Sequence, residues 1–91
     1  MSAAVRVRGL TVGPLAENCW LLTDASSHTA ILVDPGDEAL RLLEAVDESG
    51  CALVEIWLTH AHFDHVGAIA SILRERPVPV RLHALDEALY T

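Results

Sequence analysis

Three of the five histidines in this 91-residue chain fall within six consecutive positions, His60-Ala61-His62-Phe63-Asp64-His65, beside one aspartate. Neutral imidazoles and a carboxylate are donors that zinc, iron and manganese accept. Alternate residues of an extended segment face the same way, so His60, His62 and Asp64 project to one side. His65 joins them where the next helix begins. Four donors on one pocket suit a metal pair, since two metals about 3.5 to 4 Å apart share a bridging hydroxide, lower its pKa and clamp both the attacked group and the leaving group. That chemistry is hydrolysis at neutral pH. The competing reading is a polar surface loop with ordinary hydrogen-bonding histidines. Three in six residues, set between an apolar strand and a helix, favour the metal. His28, in a polar turn, and His83, at a strand end, lack that density and are read as structural.

The elements that must position the cluster are readable around it. The apolar run Val54-Glu55-Ile56-Trp57-Leu58 leads straight into it and belongs to a strand over 51–58, with Thr59 as a strand-end residue whose hydroxyl braces a neighbour. Val66, Ile69, Ala70 and Leu73 recur at helical spacing until Pro77 forbids continuation. That helix would aim its first backbone N–H groups at the cluster, and Gly67 would leave the backbone there unobstructed. Upstream, Val5, Val7 and Leu10 alternate with Arg6 and Arg8, a strand with one wet face that Gly13-Pro14 ends. Strands over 19–23 and 30–33 follow, joined by a hairpin turn at Asp24-Ala25-Ser26-Ser27, so the chain opens as a β-meander. After Asp34-Pro35-Gly36, Leu40, Leu43 and Val46 predict an amphipathic helix over 37–49, with carboxylates in its first turn and Gly50 just past its end. A short strand over 78–82 and a helical turn at 86–90 complete an α/β pattern.

Bulk properties set limits. Nothing divides residues 1–91, so a single domain is expected, and a chain this short buries only about 60 to 65% of its unfolded surface. Yet 52% of the residues are hydrophobic and the mean hydropathy is +0.34. A further layer is therefore expected over the apolar faces. The net charge of −7, with six basic residues scattered singly, argues against nucleic acid as an electrostatically held partner. No apolar stretch approaches a membrane span and no leader pattern opens the chain, which predicts a cytoplasmic protein with no membrane contact. Cys19 and Cys51 lie in separate apolar strands without CxxC spacing, as two reduced core thiols do.

The run Thr59-His60-Ala61-His62-Phe63-Asp64-His65-Val66-Gly67 resembles the THxHxDHxG signature of the metallo-β-lactamase superfamily. Residues 13–20 and 33–37 are similar to the opening motifs of its glyoxalase II-like branch, the hydroxyacylglutathione hydrolases and their relatives. The resemblance implies the N-terminal half of an αββα sandwich and a zinc hydrolase with two ions, iron or manganese being possible. By that likeness His60 and His62 bind the first metal, and Asp64 and His65 the second. Asp34 matches a buried aspartate that supports the site, beside Thr59. The implied reaction is hydrolysis of a small thioester of the S-acylglutathione kind, with Asp64 orienting the attacking hydroxide or taking its proton. The family's downstream ligands, two histidines and a bridging aspartate, have no counterpart here. The domain therefore reads as incomplete, and these residues alone as weakly active or inactive. Two other readings stay open: a mononuclear iron oxidoreductase similar to persulfide dioxygenases, using His60 and His62 but not Asp64 or His65, and a non-catalytic chain whose exposed sheet pairs with a second copy or a separate C-terminal half.

Overall fold

The computed structural model describes residues 5–14, 16–59 and 66–82. They form β1 (Val5–Val12), β2 (Glu17–Asp24), β3 (Thr29–Val33), α1 (Ala39–Glu48), β4 (Ala52–Leu58), α2 (Val66–Glu75) and β5 (Val80–Leu82). The expected helical turn at 86–90 lies outside the described residues, as does His83.

The five strands make one sheet in the order β1-β2-β3-β4-β5. β1 pairs with β2, and β2 with β3, antiparallel, which is the meander the sequence announces. The polar turn before β3 is tied by Ser26 N–H, which donates to Asp24 Oδ1 at 2.9 Å. From β3 onward the pairing is parallel, because α1 and α2 carry the chain back across the sheet before β4 and β5. Successive right-handed crossovers in one direction put both helices on the same face. Leu42, Leu43, Ala45 and Val46 of α1 and Ile72 of α2 accordingly share one buried cluster with Leu21, Leu32 and Ile56 of the sheet.

Two details depart from the pattern expected of the sequence. In β1 the apolar residues change face after Gly9: Leu10 and Val12 are buried, paired beside Cys19 and the turn, and by parity they share a face with Arg6 and Arg8. Val5 and Val7 point the other way and are largely exposed. Arg8 extends the helix-side face past the end of α1, where its guanidinium meets Glu48 at 3.3 Å. The expected wet face is thus the far half of the buried one. In α1 the helix begins at Ala39 because Glu38 takes a left-handed backbone, φ 54°, so Asp37 and Glu38 precede the first turn instead of occupying it. Leu40, expected on the apolar stripe with Leu43 and Val46, is 77% exposed; Leu42 and Ala45 take the inward places.

The opposite sheet face has no cover among the described residues. Register sets Gly9, Trp20, Val33, Trp57 and Arg81 in one row across all five strands of that face. Trp20 lies flat over Gly9, where an added Cβ would meet its ring at 2.8 Å. A bulge between β3 and β4 passes over Val54, so that Leu53 pairs with Ala30 and Glu55 with Ile31. The extra residue restores inward parity to Ile56, which is fully buried, and turns Glu55 outward. There Glu55 accepts from the Trp57 indole at 2.7 Å and from Arg81 Nε at 2.9 Å, joining the short edge strand β5 to β4.

Candidate active site

Positions 60–65 connect the end of β4 to the start of α2, and His60, His62, Asp64 and His65 all lie outside the described residues. The frame on either side of them is described. The start of the segment is fixed by Asp34. Its backbone N–H donates to Trp57 O at 2.8 Å, extending the β3–β4 pairing one residue past Val33. Its Oδ1 accepts Thr59 N–H at 2.8 Å, and its Oδ2 accepts the Thr59 hydroxyl at 2.6 Å. Both carboxylate oxygens are therefore used on the residue immediately before His60. Asp34 adopts a left-handed backbone, φ 55°, a conformation that Asp and Asn tolerate better than other residues with a Cβ. That turn swings the carboxylate from the end of β3 across to the end of β4, with Pro35 and Gly36 buried behind it. Thr59 is thus placed where its hydroxyl braces a neighbour, as its position at a strand end suggested.

Cys19, fully buried on β2, lies close enough to feel this charge. Burial first, and the Asp34 carboxylate second, push its thiol up to about 12. It stays protonated and unreactive at neutral pH. Cys51 precedes β4, half-buried, and both cysteines are free.

The exit of the segment opens on a cavity of about 710 Å³. Gly67 and Ser71 of α2 form one wall, and Gly36 and Asp37, after β3, another. Pro14 and Glu17, from the β1–β2 turn, close the third. It lies at the carboxyl ends of β3 and β4, between the starts of α1 and α2. Arg74, which donates to Ser71 Oγ at 3.1 Å, and Glu38 also line the cavity. Arg74, Ser71 and Glu38 carried no sequence signal, since each gains meaning only from elements that meet in space.

The donor set fits a metal: three imidazoles and a carboxylate in six residues, between a clamped strand end and a helix start bordering a cavity. Among the described residues alone, no group of three metal-binding side chains occurs.

Comparison with known proteins agrees with this geometry. The family model of the metallo-beta-lactamase superfamily matches residues 12–91. The chain is 37% identical over 76 residues to the probable metallo-hydrolase YqgX of Bacillus subtilis, covering 84% of this chain and 35% of that protein. It is 42% identical over 59 residues to the hydroxyacylglutathione hydrolase GloC of Haemophilus influenzae, covering 65% of this chain and 27% of that one. Among solved structures, the di-iron-bound form of TTHA1623 superposes with a TM-score of 0.71 at 44% identity, over 91% of this chain and 41% of that chain. The chain spans less than two-fifths of the length of these curated relatives. With its family profile, mixed α/β sheet and clamped THxHxDH segment, the chain belongs to the metallo-β-lactamase superfamily.

Proposed function

We propose that the natural protein is a metal-dependent hydrolase of small thioesters, of the S-acylglutathione kind. The observation that carries this reading is the pair of hydrogen bonds that Thr59 donates to Asp34, which spends an entire carboxylate on fixing the origin of the histidine segment. A strand end needs no such clamp unless the adjoining segment must be held in place. The likeness to a hydroxyacylglutathione hydrolase supports the choice of substrate.

In this reading His60 and His62 would hold one metal ion, and Asp64 and His65 a second, with further donors supplied from outside these residues. When bound, such ions supply a nucleophilic water at neutral pH and polarise the carbonyl under attack. Zinc is the first expectation; the di-iron relative supports iron as the alternative. The chain's own residues do the rest. Asp34 and Thr59 orient the segment, and Asp64 would align the attacking water or accept its proton. The first turn of α2 offers backbone N–H groups to an anionic group at the cavity rim. The cavity at the carboxyl edge receives the substrate.

The test is metal content and thioester turnover of the natural full-length protein, with and without Asp64→Asn. The dinuclear hydrolase is expected to carry two ions per chain and to lose at least about a hundredfold in kcat/KM in the variant. Retained hydrolysis with one ion bound would defeat this reading. Loss of neither metal nor an oxygen-consuming activity would favour the mononuclear iron oxidoreductase, which does not use Asp64.

A further inference from the structure

The turn between β1 and β2 is fastened to the start of α1 by side chains. Gly13 N–H donates to Glu38 Oε2 at 2.7 Å, and Arg41 Nη1 donates to Thr11 O at 2.6 Å. Arg41 Nη1 also stands 3.7 Å from Glu38 Oε1, so one acid–base pair on α1 holds both a donor and an acceptor of the end of β1. Ala16 N–H closes the turn onto Gly13 O at 3.1 Å. Gly13 permits the close seat: its φ is +75°, and a Cβ there would lie 2.8 Å from Asp37 Oδ2.

Glu38 is unusual in its own right. It stands at the N-cap of α1 in a left-handed conformation and gives its own helix no side-chain cap. Its backbone N–H is taken instead by Asp37 Oδ1 at 2.7 Å. A residue in this position normally satisfies the open N–H groups of its helix. Here the carboxylate reaches away, to another element, at the expense of the helix it begins. Pro14, within the fastened turn, and Glu17, just after it, line the cavity together with Gly67 and Ser71. Whatever fixes the turn also fixes the width of the cavity.

We infer that Glu38 is a positioning residue: paired with Arg41, it holds the β1–β2 turn as a wall of the cavity, and so sets the grip on a bound substrate without entering the bond-breaking step. The kinetic part of this inference rests on the hydrolase reading above; the latch rests on geometry alone.

The experiment compares the natural full-length protein with Glu38→Ala and Glu38→Gln, by residue-resolved amide hydrogen exchange and by thioester kinetics. Loss of one charge-assisted hydrogen bond at a half-exposed site raises exchange at Gly13 and Ala16 about five- to tenfold. Amides of Leu21 and Leu32, in the central strands, stay protected. KM rises about three- to tenfold while kcat holds within about twofold. Glu38→Gln keeps an acceptor for Gly13 and recovers most of the protection and of the KM. A merely structural role gives a different pattern, with exchange raised at Leu21 and Leu32 and kcat reduced at constant KM, and that result overturns the inference. So does unchanged exchange at Gly13 in Glu38→Ala. A wild-type protein without turnover removes the hydrolase reading, and the exchange measurement then decides the latch alone.

Discussion

Asp34 shows how one side chain can join the ends of two strands through a partner 25 residues away in sequence. Its left-handed backbone is unfavourable by about 1–2 kcal/mol for a residue with an ordinary side chain, and its two bonds to Thr59 more than offset this. Asp34→Ala keeps the strain and loses both bonds. We expect it to lower the free energy of unfolding by about 2–4 kcal/mol, read from urea denaturation. Asp34→Asn keeps one acceptor and a residue suited to that backbone, so its loss should be no more than about half as large. Equal losses would mean that the backbone turn, and not the clamp, is what Asp34 provides. The same carboxylate bears on Cys19, whose raised thiol pKa follows from burial first and this charge second. The direction is stabilising below the ordinary thiol range and lost as pH rises toward about 12, since the folded state keeps a proton that the unfolded state releases.

At the scale of elements, β5 is one edge of the sheet among the described residues, with three residues only and no buried side chain. Beside the backbone pairing, Glu55 ties it to β4 through Arg81, and the Glu55 carboxyl is held below the usual glutamate range, chiefly by the Trp57 indole N–H and then by Arg81. A lowered carboxyl pKa contributes stability above the ordinary value near 4.3, and that contribution is lost as pH falls through the lowered one. The Trp57 indole N–H resonance should therefore titrate with a midpoint below about 4.3, and Glu55→Gln should abolish the titration. A midpoint at or above the ordinary glutamate value would sink the assignment. Element positions were largely legible in the sequence because strong punctuation marks them: Gly13-Pro14 after β1, Asp34-Pro35-Gly36 after β3, Pro77 after α2. Facing was less legible. In β1 the register runs unbroken through Gly9, so Leu10 and Val12 fall on the face of Arg6 and Arg8, and which stretch of that face lies under the helices is settled only by the fold. Nor could Leu40 be seen to face outward, since its orientation depends on Glu38 delaying the start of α1. Of the Asp34–Thr59 clamp, the bracing hydroxyl of Thr59 was read from its place at a strand end, while Asp34 was approached only through a family likeness. Residue types alone did not reveal it, and the latch of Glu38 and Arg41 left no trace in the sequence at all.

For the molecule as a whole, the two sides of the sheet are unequal. One side is sealed by both helices, while Val5, Val7, Trp20 and Val54 remain between 37% and 63% exposed. The excess of hydrophobic residues in the composition has its place here. An apolar face of this kind marks a contact surface. We therefore expect the 91-residue chain, prepared alone, to associate as its concentration rises, and Val7→Glu with Trp20→Glu to shift it toward monomer, as read by light scattering on a sizing column. A wild-type chain that is monomeric at every concentration would refute this. Among the described residues no helix is long and apolar enough to cross a membrane. Finally, the strands lie side by side in the same order in which they occur along the chain. Among the described residues, no later strand inserts between two earlier ones. A ribosome releasing this polypeptide from its N-terminus would thus build the sheet by adding each strand to the newest edge, with the antiparallel hairpins closing over short loops before either slower crossover is needed. By the time the histidine segment emerges, the β3 end bearing its Asp34 anchor is already in place, so the order of synthesis is also the order of assembly of the site.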